Sequence, residues 1–199
     1  MKRFALFLSV AALVALLPLP AAAHSLGPNM NALWVGLLHP VLAVEQGLTF
    51  FVLGMTQARY GEQLPKWMFP TLLCTIAAMF LLFSFLPVAG NGATQGMPLL
   101  GAGLMLLLPF DRFRAYVPMA VLALGAILGA EIGIELPTGA SPILFLCGIG
   151  FAAVILLAYA QEFWTRFYRP WFDIAARIVG SWLIAVAIIL VGASFRPIV

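Results

Sequence analysis

Apolar stretches close to the ~20 residues needed to cross a bilayer recur along the whole chain, separated only by short polar segments. Hydrophobic residues make up 64% of the 199 and charged ones only 9%, where a soluble globular domain carries roughly a quarter of its residues charged. A soluble fold is excluded. In hydrocarbon a helix satisfies its own backbone polar groups, so the chain reads as all-α, a polytopic transmembrane bundle. The net charge of +3 does not point to nucleic acid, because Lys and Arg are dispersed through the polar segments instead of gathered into a patch. No P-loop, Gly-x-Ser-x-Gly elbow or Cys-x-x-Cys pair is present. Neither ATP-driven chemistry nor catalysis is expected, and no tightly bound cofactor. Cys74 and Cys147 fall at different depths, so no disulfide is expected between them.

Lys2 and Arg3, the apolar run from Phe4 to Leu19 and the small residues Ala21-Ala22-Ala23 have the order of a secretory signal peptide. Cleavage after Ala23 would divide the chain into a signal peptide, 1–23, and a single transmembrane domain, 24–199, opening on His24. Its α-amine and imidazole together would form a metal chelate. An uncleaved anchor helix is the alternative. Six spans follow, at about 32–56, 68–87, 97–109, 115–135, 142–160 and 177–195. Arg59, Lys66, Arg112, Arg114, Arg166, Arg169 and Arg177 all fall on one side of this arrangement, and only Arg196 on the other. By the positive-inside rule the basic side is cytoplasmic, which puts both mature termini outside. The aromatic and basic segment from Phe163 to Phe172 then reads as an interfacial belt with anchoring arginines.

An ionisable side chain at the bilayer centre costs about 2.5 to 3.5 kcal/mol even on lenient scales, so those inside the spans need partners. The first span carries His39, Glu45 and Gln46, and the fourth carries Glu131 and Glu135. In a continuous helix His39 and Gln46 would share one face about 10 Å apart, with Glu45 to one side. Pro40 has no N–H for the Gly36 carbonyl, which predicts a kinked polar notch there. In the fourth span Gly125, Gly129 and Gly133 form a small-residue stripe for close helix packing. Glu131 points away from that stripe, so the fourth span should be central, with a second buried or wet face. Glu135 at the span's end is equally well read as a headgroup-level cap. Met30 and Met97 read as packing residues in preference to soft metal ligands.

The segment Gly36-Leu37-Leu38-His39-Pro40-Val41-Leu42-Ala43-Val44-Glu45-Gln46 resembles the first-span motif His-Pro-x-x-Gly-x-Asp-His of the HupE/UreJ family of hydrogenase and urease accessory membrane proteins. His39 and Pro40 match; Ala43, Glu45 and Gln46 replace the Gly, the Asp and the second His. Gly133-Ile134-Glu135-Leu136-Pro137 is similar to a second family segment, His-Gly-x-Glu-Leu-Pro, with Ile132 where that His would stand. Gly139-Ala140-Ser141 and the opening of the last helix from Arg177 to Gly180 extend the likeness over nearly the whole chain. The resemblance implies a nickel-permease type of protein in a bacterial inner membrane, moving a divalent ion, with a homo-oligomer or metalloenzyme-maturation proteins as further partners. The implied ligands here are His39, Glu45, Gln46, Glu131, Glu135 and His24. Two imidazoles of the family pattern are exchanged for Gln46 and Ile132, which leaves a mostly oxygen-donor set and narrows any preference for nickel over harder ions. A family member that has lost transport and serves as a membrane accessory protein is the alternative function.

Overall fold

The computed structural model describes residues 31–60, 64–88, 90, 92–107 and 114–195. The signal-peptide segment, His24 and Met30 lie outside the described residues. Within them are seven α-helices and no strand: α1 (Ala32–Leu42), α2 (Val44–Tyr60), α3 (Met68–Ser84), α4 (Gly92–Leu107), α5 (Val117–Ile134), α6 (Pro142–Phe167) and α7 (Phe172–Ser194). Local chemistry accounts for several boundaries. Asn31 caps α1, its side chain accepting from the Leu33 N–H at 3.1 Å. Pro118 and Pro142 sit in the first turns of α5 and α6, where a missing N–H costs nothing. The turn between α5 and α6 uses Gly139 at φ +82°, a conformation closed to most side chains.

α5, α6 and α7 are long and apolar enough to cross a membrane, and the exposed surface of the bundle is correspondingly apolar, as at Trp182, Ile188 and Ile189. α2, α3 and α4, at 17, 17 and 16 residues, are about 25 Å long, a little under a typical hydrocarbon thickness of ~30 Å. Three helices outrun the sequence reading. α6 continues to Phe167 and α7 begins at Phe172, so the belt expected as a linker is mostly helix. Nothing between Gln161 and Phe167 breaks a helix, and Glu162 pairs with Arg166 one turn on. α4 begins about five residues before the expected 97, taking in Thr94 and Gln95.

The first span is not one kinked helix. α1 and α2 meet at 77°, and the break falls at Ala43 (φ −84°, ψ 85°), not at Pro40. The Ala43 N–H still closes on the His39 carbonyl at 2.7 Å, and the Gln46 and Gly47 N–H groups start the new helix on the Ala43 carbonyl. The corner is tight: a Cβ on Gly47 would collide with the Pro40 carbonyl. α1 crosses the first half of α6, where Gly36 lies on the Phe145 carbonyl and Gly148 on the Leu33 carbonyl.

From α2 onward the helices run alternately up and down, held by glycine seams in which backbones touch. The stripe of Gly125, Gly129 and Gly133 on α5 packs against Leu72, Ile76 and Phe80 of α3, as its spacing predicts. Gly96 and Gly103 of α4 meet Ala187 and Gly180 of α7, and Gly54 of α2 meets Leu157 and Ala160 of α6. α5 is central, packing on α3, α4 and, more lightly, α2. Cys74 and Cys147 are both free and exposed.

Candidate functional site

The end of the bundle where α3 and α5 finish and α4 and α6 begin holds a buried polar cluster. Its centre is Glu135. The backbone N–H of Glu135 closes the last turn of α5 on the Glu131 carbonyl at 3.1 Å, while its side chain turns inward and keeps only 6% of its surface exposed. Gln46 Nε2 donates to Glu135 Oε2 at 2.9 Å and Gln95 Nε2 donates to Oε1 at 3.1 Å. His39 Nε2 lies 3.5 Å from the same Oε2. The 77° corner at Ala43 lies between His39 and Gln46 and sets how the two approach this oxygen. Glu135 is therefore part of the cluster, its side chain turned into the bundle.

Glu45, Glu131 and Glu135 each bring a carboxylate oxygen to within 4.8 Å of the others. Glu45 comes from the first turn of α2, and Glu131 from one turn earlier on α5 than Glu135. His39, Gln46 and Glu131 are almost wholly buried. Both Glu131 oxygens, both His39 ring nitrogens and Gln46 Oε1 are buried with no hydrogen-bond partner. Such groups are rarely left so in a folded protein, because an unsatisfied buried polar atom costs about 1 to 3 kcal/mol. Phe145 closes the apolar side, its ring edge-on to His39 at 5.3 Å and stacked on Phe80 at 5.8 Å.

Three carboxylates at this spacing repel by about 3 to 4 kcal/mol per pair at an effective dielectric near 20, if all are ionised. The arrangement calls for a counter-charge, and no Lys or Arg is among the cluster's residues. Three acidic oxygens within 4.8 Å of one another, with the His39 imidazole and the Gln46 amide beside Glu135, offer a donor set for a divalent cation of hard to borderline character. Of the six ligands expected from sequence, five come together here: His39, Glu45, Gln46, Glu131 and Glu135. Ile132, where the second motif would have a histidine, is fully buried in the apolar core. Met97 stays half-exposed on α4, in the wall of an apolar cleft beside Glu131.

Gln95 is the residue that sequence reasoning missed. It stands in the polar run Gly92-Ala93-Thr94-Gln95, which reads as loop, and Pro98 just beyond it looks like a helix start. The available signal was an amide three residues before that proline, within the first turns of an apolar helix. Comparisons with protein-family models, with curated proteins and with solved structures find no match to this chain.

Proposed function

We propose that the protein is a divalent metal-ion permease of the HupE/UreJ type, a six-span bundle in a bacterial inner membrane with its mature N-terminus at His24 and both termini periplasmic. One observation carries this reading. Residues from α1, α2 and α5 that a metal-permease motif would supply converge in one buried cluster, with three carboxylates within 4.8 Å and with His39 Nδ1 and Gln46 Oε1 buried without a hydrogen bond. The ion is the cargo: it supplies the charge that the carboxylates lack, and the membrane potential, worth about 2.3 kcal/mol per elementary charge per 100 mV, is a sufficient driving force. Glu131, Glu135 and Glu45 would hold it by oxygen and His39 by nitrogen. Gln46 and Gln95 hold both oxygens of Glu135 and so set the orientation of that carboxylate.

A non-transporting accessory protein is the second reading, favoured by Gln46 and Ile132 in place of two histidines. Calorimetric titration of the purified protein with manganese and nickel separates the two. Saturable binding of at least one divalent ion, weakening as the solution is acidified because coordination needs ionised carboxylates, is the expected result. If neither ion binds, the accessory reading replaces transport. N-terminal sequencing of membrane-purified protein should begin at His24, and a chain that retains Met1 would overturn the processing.

A further inference from the structure

The buried face of α2 is polar well beyond the cluster. Gln46 and Gln57 are eleven residues apart, which is 20° past three full turns, so they share one face about 16 Å apart along the axis. Thr49 and Thr56 flank that line, and all four residues are at most 7% exposed. The Thr49 and Thr56 hydroxyls donate to the Glu45 and Val52 carbonyls at 2.7 and 2.8 Å. A hydroxyl whose proton is given to its own helix turns its lone pairs outward, as a cation requires.

Between the two glutamines the same face carries Phe50 and Leu53, both fully buried. Beyond them, between α2, α4 and α6, is a void of ≈ 10 Å³ lined by Thr56, Arg59, Tyr60, Met105 and Trp164 among others. That is about the size of one water-sized probe. The Arg59 charge is matched by Asp173 at 3.1 Å, and Gln57, whose Oε1 accepts from Gln161 Nε2 at 2.6 Å, keeps a buried Nε2 without a partner. Oxygen-bearing side chains thus stand on both sides of one apolar layer.

We infer that α2 carries the ion from the carboxylate cluster toward the opposite end of the bundle, with Phe50 and Leu53 as the closed apolar barrier and the void at Thr56 as the next station. An apolar constriction stops an ion by excluding the water that would accompany it, and it opens when the ring or branch is removed. The inference rests on the permease reading, and its test keeps the two apart by measuring binding and passage separately.

The test uses the full-length protein in liposomes loaded with a dye quenched by manganese, with binding measured on the same preparations. Phe50→Ala and Leu53→Ala should each speed manganese entry about tenfold, equivalent to roughly 1.4 kcal/mol off the barrier, and leave the affinity of the cluster unchanged. Thr56→Phe, which fills the void, should stop entry while binding persists. Should Phe50→Ala fail to fold, the milder Phe50→Leu should give a smaller acceleration in the same direction. Entry at the wild-type rate in all of these variants overturns the route. Manganese binding without passage, in the wild type and the alanine variants alike, also overturns the route and leaves the cluster standing as a binding site. If the wild type does not bind manganese, the permease reading fails for that ion and the route falls with it.

Discussion

The two ends of the bundle solve the problem of buried polarity in opposite ways, and α2 contributes to both. At the far end the partly buried charges are paired: Arg59 meets Asp173 at 3.1 Å, Tyr168 donates its hydroxyl proton to the other Asp173 oxygen at 2.8 Å, and Gln161 donates to Gln57, whose Nε2 keeps no hydrogen-bond partner. Aromatic rings of Trp164, Tyr168, Trp171 and Phe172 pack around this layer. At the cluster end three carboxylates lie beside one imidazole and two amides, and both Glu131 oxygens, His39 Nδ1 and Gln46 Oε1 are buried without a hydrogen bond. A polar layer whose opposite charges are paired fastens helices together. An unsatisfied one of a single sign is disposed to take up something that brings the opposite charge, at a cost in stability that a bundle with glycine seams and a continuous apolar core can bear.

The largest effect should come from breaking the scaffold that both layers share. Gly129→Leu would drive a side chain into the Ile76 backbone at the α3–α5 seam, and the yield of folded, monodisperse protein should fall to a small fraction of wild type. Chromatography of detergent extracts checks this, and a normal yield would show that the seam is not tight.

Next in size is the removal of one charge from the cluster. Glu131→Gln should reduce divalent-ion affinity by about a hundredfold or more while the protein still folds, since a neutral amide replaces a buried ligand. A neutral outcome for Glu131→Leu, in both binding and yield, would make Glu131 an ordinary core position and erase the contrast between the two ends.

A smaller shift should follow Gln46→His, which restores an imidazole beside Glu45 and Glu135. Nickel affinity should rise about tenfold relative to manganese, because nitrogen donors favour nickel. Unchanged selectivity would mean that the Gln46 position does not contact the ion. The least effect belongs to the far end. Asp173→Asn should cost about 1 kcal/mol of stability, in line with a partly exposed ion pair, and leave ion affinity as it was. A loss of ion binding in that variant would mean that the far layer is more than a fastening.

What the sequence by itself determined was the character of the parts. Apolar runs and scarce charges dictate membrane helices; the four-residue glycine repeat dictates a close helix contact; and Glu131, set away from that stripe, needs a second buried face. Each of these follows from local spacing, because a helix converts sequence distance into angle. The tertiary structure decided which parts meet. Gln95 enters the cluster only because α4 starts early and packs on α5, and nothing in the run of residues around it signals a partner 40 positions away. Likewise the directions from which His39 and Gln46 meet one oxygen are set by a 77° turn at Ala43. Pro40 weakens the helix there, but Gly47 is what lets the corner close against the Pro40 carbonyl. A helix weakened by a missing hydrogen bond can bend at any of several nearby residues, and packing against α6 selects one of them.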